Sequence, residues 1–455
     1  MNLRSPWLQQ LNQERQIVRL ASDLDVQVVI VGAGIAGVAS AFFTLKYTNK
    51  KVILLEGGKL AHGATGHNAG YLASYFERPF NEIVREFGLE KAIAGQRAID
   101  SGWQFLDEIY TDAGLDIQIA RFQGYAGFVK FSRVLSHLKN SFYRKLGGME
   151  TDEFLISESV DFLSLIPKEY VGLYKVVPME DILERLETVD SRFIACAPAP
   201  KGCMNSALFC QEVLNFLIKN YSDRFSLFEH THVNKIILKF DHALLDAGSN
   251  TVIAEKVILC TNGFENIRLI NESGLDINTK FHHHIYGFVG FMSGYLDPLN
   301  KPPTAISYLE GDKGDETDIE NYFYLSRRLY DYEEKKNHNL ISVGGPGFVL
   351  DERSVYAGDM DFPEEAHSQI DQFIRRIYES NPYKKIDYLF TWHGLMGYTK
   401  SGIRLIGEEP KNRILLYNLG CNGVGIIPSL YGGKKISQIL AGEELEESIF
   451  DPRLE

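Results

Sequence analysis

The sequence predicts an α/β protein of two interleaved domains, one on a parallel sheet and one on an antiparallel sheet. Residues 25–56 read as strand, glycine-rich turn, helix and strand, the βαβ order of a parallel sheet. At 455 residues, the chain exceeds the usual size of one domain. Patterns that suit the first domain return near residues 202 and 386, so the intervening segments are expected to form the second.

The βαβ unit supplies the first candidate binding site. Gly32 permits a tight turn, Gly34 lets the backbone approach a pyrophosphate, and Gly37 lets the helix pack closely on the strand. The free N–H groups where the helix begins also attract phosphate. The predicted contacts in this turn are Gly32, Ala33, Gly34, Ile35, Ala36 and Gly37.

The segment that follows the second strand decides between nucleotides. Glu56 stands about 20 residues after the third glycine, where a carboxylate accepts hydrogen bonds from ribose hydroxyls and disfavours the 2′-phosphate of NADP. Residues 57–70 are too rich in glycine for a regular helix. Such a loop can wrap the pyrophosphate and flavin of FAD, and it would be surplus in a compact NAD site. The predicted contacts are Glu56, Gly57, Gly58, Lys59, Gly63, Ala64, Thr65, His67, Asn68, Ala69, Gly70 and Tyr71.

Four segments carry a family resemblance. Glu56 and the Gly-Ala-Thr-x-x-Asn-x-Gly loop after it resemble the FAD-dependent superfamily of D-amino-acid oxidase, glycine oxidase and sarcosine oxidase. Residues 257–263 and 420–425 resemble its second and third flavin-contacting motifs, and 392–407 its loop beside the flavin ring. The resemblance implies FAD contacts at Val233, Cys260, Thr261, Asn262, Gly263, Gly394, Gly397, Asn422, Gly423, Val424, Gly425 and Ile426.

The remaining elements follow in chain order. Helical periodicity covers about 81–113, 208–220, 364–379 and 429–440, and strand patterns cover 125–131, 225–229, 256–260, 286–292, 321–329, 340–345 and 414–420. A Rossmann-like FAD-binding domain is therefore expected from residues 1–80, 202–268 and 386–455. An α+β substrate domain on an antiparallel sheet is expected from residues 81–201 and 269–385. Residues 1–24 are expected to form a short arm on the surface or on a partner subunit.

The resemblance implies oxidation of the C–N bond of an amine or amino acid by hydride transfer to flavin N5. A substrate carboxylate needs a cation, for which the forked guanidinium of arginine is best suited. The candidates are Arg327, Arg328 and Arg404, with Arg78 a weaker one and Lys400 as a further group that binds carboxylate or activates oxygen. Alternation along 322–327 would send either Tyr322, Tyr324 and Ser326 or Phe323, Leu325 and Arg327 toward the flavin.

Two departures from the family pattern bear on the site. Many relatives have Asp-Gly-x-Pro where this chain has Ser401-Gly402-Ile403-Arg404, which adds a positive charge. Relatives with covalent flavin carry a cysteine near Gly394–Tyr398, and this segment has none, so we expect non-covalent FAD.

Other functions remain open at this level. An enzyme of the same fold could act on C–O bonds, as a dehydrogenase of a 2-hydroxy acid or glycerol phosphate. A flavoprotein that modifies tRNA and a non-catalytic flavin-binding partner protein are further alternatives. A net charge of −13 argues against a nucleic-acid partner.

Composition sets the remaining expectations. The chain has 5 cysteines and no CxxC pair, which is typical of reduced thiols in a cytoplasmic protein. No apolar run is long enough to span a membrane. The histidines at 282–284 would alternate faces in a strand, so we expect no metal site. The substrate is expected to be a small molecule, and an oligomer is possible.

Overall fold

The computed structural model describes most of the chain, and all structural statements below concern the described residues. These are residues 4–263, 267–277, 285–311, 322–332, 335–351, 354–379, 381 and 383–453, without the side chains of 335–337. The histidine run at 282–284 lies outside them, and so does residue 321.

Helices and strands are numbered in chain order. The strands are β1 (Leu24–Val31), β2 (Val52–Leu55), β3 (Tyr71–Leu72), β4 (Ala120–Phe128), β5 (Phe154–Ser157), β6 (Tyr174–Val177), β7 (Ala195–Cys203), β8 (Phe225–Phe228), β9 (Lys235–Leu238), β10 (Ala243–Ala247), β11 (Asn250–Leu259), β12 (Arg268–Asn271), β13 (Ile285–Pro298), β14 (Thr304–Leu309), β15 (Tyr322–Tyr332), β16 (Lys335–Leu350), β17 (Tyr388–Thr399), β18 (Leu405–Glu408) and β19 (Leu415–Leu419). The helices are α1 (Pro6–Gln9), α2 (Ile35–Tyr47), α3 (Phe80–Phe87), α4 (Leu89–Asp100), α5 (Gly102–Ala113), α6 (Phe131–Leu146), α7 (Met179–Arg185), α8 (Ser206–Asn220), α9 (Glu364–Phe373) and α10 (Ile426–Ala441).

The first sheet contains the predicted βαβ unit. Its order is β12-β9-β10-β11-β1-β2-β8, with β19 beside β11 and β18 beside β19. β1 runs parallel to both β2 and β11, and β11 runs parallel to β19. Val28 and Ile30 pack in one core with residues of α2, α8 and α10, while Val29 and Val31 belong to the core on the opposite face. Burial on both faces explains the continuous apolar run in β1.

The second sheet is mixed but largely antiparallel. Its order is β17-β13-β16-β15-β14-β4-β7-β5-β6, with β3 beside β7. The pairings among β13, β15, β16 and β17 are antiparallel, while β14 with β4 and β5 with β6 pair in parallel. The predicted α/β class with a second, largely antiparallel sheet is confirmed.

Some predicted elements differ from the observed ones. The first half of the segment 392–407, expected as a loop, lies in β17 of the second sheet, and its last three residues lie in β18 of the first sheet. The helical region 81–113 is divided into α3, α4 and α5 at Gly88 and Ser101. Strands β3 and β17 belong to the second sheet although their residues lie in ranges we assigned to the first domain. The domain limits themselves remain predictions.

The N-terminal arm is largely exposed at residues 12–19 but buried near its start. Trp7 is completely buried, and its indole N–H donates to the carbonyl oxygen of Asn68 at 2.6 Å. The side chain of Ser5 accepts from the Trp7 N–H at 3.2 Å and so caps the short helix α1. The expected surface position therefore holds for residues 12–19, while the burial of Trp7 was not predicted, because a short amphipathic segment does not reveal which distant loop it covers.

Two further points concern the oxidation state of the cysteines and the length of the helices. All cysteines are free thiols, buried at 196, 203, 210 and 260 and partly exposed at 421. Among the described residues, no helix combines the length and apolar character needed to cross a bilayer.

Candidate functional site

A large cavity lies where the two sheets meet. Its volume is about 700 Å³, within the range of roughly 300–1,000 Å³ found for small-molecule sites. The first sheet contributes the turn after β1, the loop after β2, and the turns after β11 and β19. The second sheet contributes side chains from β13, β15, β16 and β17.

The turn between β1 and α2 has the geometry that its glycines predict. Gly32 has a φ of +104°, and a Cβ there would lie 2.8 Å from the carbonyl oxygen of Cys260. A Cβ on Gly37 would lie 1.9 Å from the oxygen of Gly32, so the helix could not pack as closely with any other residue. The Ile35 N–H, at the start of α2, donates to Thr65 Oγ1 at 3.0 Å. The turn and the first residues of α2 line the cavity, so the positive end of the helix faces it.

Glu56 lies at the end of β2 and faces the same turn. Its carboxylate accepts the Ala33 N–H and the Gly58 N–H, each at 2.8 Å. Burial raises the pKa of the Glu56 carboxyl, while these two N–H donors act in the opposite direction. The side chain lines the cavity, where a carboxylate can accept hydrogen bonds from ribose hydroxyls.

The loop at 57–70 is held by its own polar side chains. Asn68 Nδ2 donates to the Thr65 carbonyl at 2.9 Å and to Ser206 Oγ at 2.8 Å, and Asn68 Oδ1 accepts the Gly70 N–H at 2.7 Å. A Cβ on Gly70 would lie 2.4 Å from the ring of Trp7. Asn68 therefore organises a loop that the N-terminal arm covers from outside.

Two turns and the end of strand β17, from distant parts of the chain, are joined by hydrogen bonds on the other side of the cavity. The side-chain oxygen of Asn262, after β11, accepts the N–H of Cys421 at 2.9 Å. The Asn422 N–H donates to the oxygen of Gly397 at 2.9 Å, and Asn422 Oδ1 accepts the Thr399 N–H at 2.8 Å. Asn262 and Asn422 both have positive φ, of 64° and 45°, a conformation that asparagine tolerates well. The predicted second and third motifs thus meet in space.

Most of the predicted cofactor-binding residues line the cavity. Those that do are Gly32, Gly34, Ile35, Ala36, Glu56, Gly57, Gly58, Gly63, Ala64, Thr65, His67, Asn68, Ala69, Tyr71, Val233, Cys260, Thr261, Asn262, Gly394, Gly423, Gly425 and Ile426. The predicted residues outside the lining are Ala33, Gly37, Lys59, Gly70, Gly263, Gly397, Asn422 and Val424. Several of these shape the backbone around the cavity instead, as Gly37, Gly397 and Asn422 do.

Arg327 does not reach the cavity, which corrects its assignment as a substrate-binding cation. Strand alternation turns Tyr322 and Tyr324 toward the cavity and Arg327 to the opposite face of β15. There its guanidinium makes two hydrogen bonds of 2.7 Å to the Glu187 carboxylate and a third to the hydroxyl of Tyr378. Arg327 therefore forms a structural ion pair with Glu187 and does not bind substrate.

The other cationic candidates are also placed by the structure. Lys400 is exposed in the turn after β17 and does not line the cavity. Arg78 forms ion pairs with Glu82 and Glu86. Arg328 is buried, and its guanidinium carbon lies 5.0 Å from the centroid of the Trp7 ring. A predicted carboxylate-binding role for Lys400 has no support in this geometry.

Arg404 lines the cavity at the first-sheet side. Its Nε donates to Asn418 Oδ1 at 2.7 Å and its Nη2 to the Asn418 carbonyl at 3.0 Å. The Asn418 amide in turn reaches the carbonyl oxygens of Ala36 at 3.4 Å and Ser429 at 3.2 Å, in the first turns of α2 and α10. Burial lowers the pKa of Arg404 to about 10. The described residues supply no carboxylate ion pair to this guanidinium, so its surroundings favour an anion.

The sequence reasoning offered Tyr322 and Tyr324 as one of two alternative faces, and it missed the rest of the wall that the second sheet presents. Strand alternation places Tyr286, Phe288 and Met292 of β13, Tyr322 and Tyr324 of β15, and Met396 and Tyr398 of β17 on the cavity face. Glu77 joins them from the segment before α3. The period of two in each strand was visible in the sequence, but the register that selects the inward face was not.

The residues present fit FAD. The glycine turn and the start of α2 suit a pyrophosphate, Glu56 suits a ribose, and Arg404 suits a negatively charged group. His67 lines the cavity with its Nδ1 2.9 Å from the Gly63 oxygen, and burial lowers its pKa, so the ring is neutral at pH 7. The aromatic wall from the second sheet offers flat apolar surface.

Comparison with known sequences agrees with this reading. A protein-family model described as "FAD dependent oxidoreductase" matches residues 27–439. A Haemophilus influenzae protein described as "Probable oxidoreductase OrdL" is 33% identical over 91 residues. That alignment covers 20% of this chain, and the chain spans only 21% of the length of that curated relative.

Comparison with solved structures shows the same fold. Glycine oxidase from Geobacillus kaustophilus has a TM-score of 0.64 at 15% identity, covering 94% of this chain and 98% of that one. An L-alpha-glycerophosphate oxidase from Mycoplasma pneumoniae, solved with FAD bound, has a TM-score of 0.61 at 11% identity, covering 91% and 94%. At such identities the likeness extends to the fold alone.

Proposed function

The chain belongs to the family of FAD-dependent oxidoreductases, and from that premise we propose that it oxidises the C–N bond of an amine or amino acid. Bound FAD supplies the hydride acceptor at N5, and the substrate leaves as an imine that water hydrolyses after the N–H proton passes to solvent. The protein's own residues hold the substrate carbon beside the ring and exclude water from it.

The observation that supports C–N oxidation is the composition of the second-sheet wall. Its described residues carry Glu77 and tyrosines, with no histidine, lysine or arginine that lines the cavity. Hydroxy acids and glycerol phosphate need a cation for their negative charge. A neutral amine needs none, and its nitrogen lone pair assists the departure of the hydride. The wall therefore suits an amine best.

We also propose that FAD is held without a covalent bond. No cysteine stands in Gly394–Tyr398, the segment in which relatives with covalent flavin carry one. Cys260 is buried, and Cys421 lies within a network in which its Sγ is 3.5 Å from Asn262 Nδ2.

An anaerobic reduction screen tests the proposed reaction. The purified yellow protein is mixed without oxygen with a primary amine, a secondary amine, an amino acid, a 2-hydroxy acid and glycerol 3-phosphate, and flavin absorbance is followed. Because oxygen is absent and no other electron acceptor is added, the FAD of each chain can be reduced only once. Bleaching by an amine or amino acid is expected. Bleaching only by the hydroxy acid or glycerol 3-phosphate would reject the proposal.

A further inference from the structure

A row of apolar side chains crosses three neighbouring strands of the second sheet. Phe288 of β13 pairs in register with Val349 of β16 on one side and with Met396 of β17 on the other. All three line the cavity. Residues paired in this way have Cβ atoms roughly 5 Å apart, so the three side chains form one continuous surface. We call Val349, Phe288 and Met396 the apolar row, since none of their side chains carries nitrogen, oxygen or a charge.

A depression lies beside the apolar row at Gly290 of β13. Gly290 follows Phe288 by two positions and lines the cavity, so a side chain there would point into the cavity. Its φ lies outside the left-handed region, so the backbone does not require a glycine. A Cβ on Gly290 would meet the flexible end of Met396, with Cε at 3.2 Å, and the Phe288 ring at 3.7 Å. Among the described residues, no backbone atom comes within 4 Å of that position.

The two glycines paired with Gly290 have a different explanation. Gly394 of β17 and Gly347 of β16 stand beside it in register. A Cβ on Gly394 would lie 2.8 Å from the carbonyl oxygen of His67, and one on Gly347 would lie 2.4 Å from the ring of Phe288. Protein atoms thus exclude a side chain at both positions. Glycine within a strand otherwise weakens it and often marks the close approach of a ligand, which is the explanation left for Gly290.

The apolar row continues to the mouth of the cavity. Val349 lines the cavity and yet is 49% exposed, and Tyr286, on the same face of β13 as Phe288, is 44% exposed. The ring of Tyr286 stacks on that of Tyr398, with centroids 5.5 Å apart and an angle of 18° between the planes. A group that extended from Gly290 along the row toward solvent would therefore contact apolar side chains and ring faces and would bury them.

We propose that the apolar row and the depression at Gly290 bind a large apolar substituent of the substrate, so that the substrate is an amine carrying an aromatic ring or a long aliphatic chain. The apolar row binds this group without using any charge, which agrees with an amine that reacts in its neutral form. Buried apolar area sets the affinity, and each methylene that is buried strengthens binding roughly fourfold. The proposal rests on the proposed function, because it names the class of substrate for the same site.

Binding without turnover tests the proposal separately from the reaction. Acetamide, butanamide and hexanamide are uncharged and are not amines, and each is titrated into the FAD-loaded protein while the flavin spectrum is followed. The affinity is expected to rise roughly fourfold for each methylene added, because the longer chain buries more apolar surface. Equal affinity for the three amides, or no binding of any of them, would overturn the proposal.

Filling the depression tests where the chain binds. Gly290→Leu adds an apolar side chain and no charge, and it is expected to weaken hexanamide binding at least about tenfold while acetamide binding changes less than about twofold. The FAD content of the variant is measured alongside. Loss of FAD from the folded variant would overturn the proposal, because the space at Gly290 would then belong to the cofactor.

A second variant tests the proposal at an exposed position, where loss of fold is not expected. Val349→Ser removes part of the apolar row and should weaken hexanamide binding severalfold. Val355→Ser is the matched control, because Val355 is 78% exposed and does not line the cavity, and it should leave binding unchanged. Unchanged hexanamide affinity in both Gly290→Leu and Val349→Ser would overturn the proposal.

Turnover then separates failure of this inference from failure of the proposed function. Ethylamine and hexylamine have the same amine group, so nearly the same fraction of each is neutral at a given pH, and both are tested by anaerobic flavin reduction. Hexylamine is expected to bind at least about tenfold more tightly. If neither amine reduces the flavin while amide binding rises with chain length and falls in Gly290→Leu, the proposed function fails and this apolar site stands. If both amines reduce it with equal affinity, this inference fails and the proposed function stands.

Discussion

At the scale of single residues, Arg404 is a buried guanidinium beside the positive ends of two helices. Asn418 links it to the first turns of both α2 and α10. Such a charge is stabilised by an anion, and the pyrophosphate of FAD is the anion that the adjoining glycine turn suits. We predict that Arg404→Met raises the dissociation constant of FAD roughly 10- to 100-fold, measured by quenching of FAD fluorescence as apoprotein is added.

The matched control for Arg404 is a surface arginine. Arg413 has an exposed side chain and lies 3.8 Å from Glu408, so Arg413→Met should leave FAD binding unchanged. A change in the KM of an amino-acid substrate with an unaltered dissociation constant for FAD would instead assign Arg404 to substrate recognition.

The ion pair between Arg327 and Glu187 makes a second prediction at this scale. Arg327→Met removes the buried guanidinium and leaves the partly exposed Glu187 with Lys301, 3.2 Å away, as its remaining partner, so the free energy of unfolding should fall by about 3 kcal/mol. Denaturant titration measures this loss. Lys91→Met, which breaks an exposed pair of 2.8 Å with Glu447, should cost at most about 1 kcal/mol.

The same pair predicts a pH dependence. Burial alone would raise the pKa of Glu187, but hydrogen bonds from Arg327 and its charge outweigh burial and lower it. A lowered folded pKa stabilises the protein above the unfolded value, and this contribution is lost as pH falls through the folded value. The stability difference between the unaltered protein and Glu187→Gln should therefore be full near pH 7 and shrink below about pH 4.5. A difference that grows on acidification would contradict this assignment.

At the scale of elements, the N-terminal arm braces the loop at 57–70. Trp7 fills the space beside Gly70, and its N–H is bonded to the oxygen of Asn68. Trp7→Ala should cost about 3–5 kcal/mol of stability and also speed the dissociation of FAD, because the loop loses its support. Trp7→Phe keeps most of the ring and should have a smaller effect on both.

Two measurements separate the local effect of Trp7 from a global one. Stopped-flow fluorescence gives the rate of FAD release, and mass spectrometry after brief proteolysis shows whether cleavage moves into residues 57–70. Lower stability in Trp7→Ala without faster release or new cleavage would show that the arm supports the core and not the loop.

Strand β17 shows that the structure of an element can depend on residues far away in the chain. The family resemblance implied a loop in this segment, yet Gly394 and Gly397 each mark a close approach within a strand. A Cβ on Gly394 would lie 2.8 Å from the oxygen of His67, and one on Gly397 would lie 2.2 Å from the oxygen of Asn262. Glycine in a strand has this meaning when another backbone lies against it. That backbone comes from far away in the chain, so the sequence could not reveal it.

At the scale of the whole molecule, features that depend on residues close together in the chain were predictable from the sequence, and features that depend on distant residues were not. The βαβ unit was readable because Gly32, Gly37 and Glu56 act within one local motif, and β2 ends at Leu55, directly before Glu56, as predicted. The place of Arg327 was not readable, since its partner Glu187 lies 140 positions away. Glu77 was missed for the same reason, because only the assembled second sheet brings the tyrosines around it.

The central claim is that loops from three distant segments form one cavity that holds FAD without a covalent bond. The most direct measurement is the absorbance of the purified protein before and after acid precipitation, with the mass of the released nucleotide. We expect flavin bands in the native protein and, in the supernatant, FAD at about one molecule per chain. A colourless protein that does not bind added FAD, or colour that stays with the acid precipitate, would contradict the account.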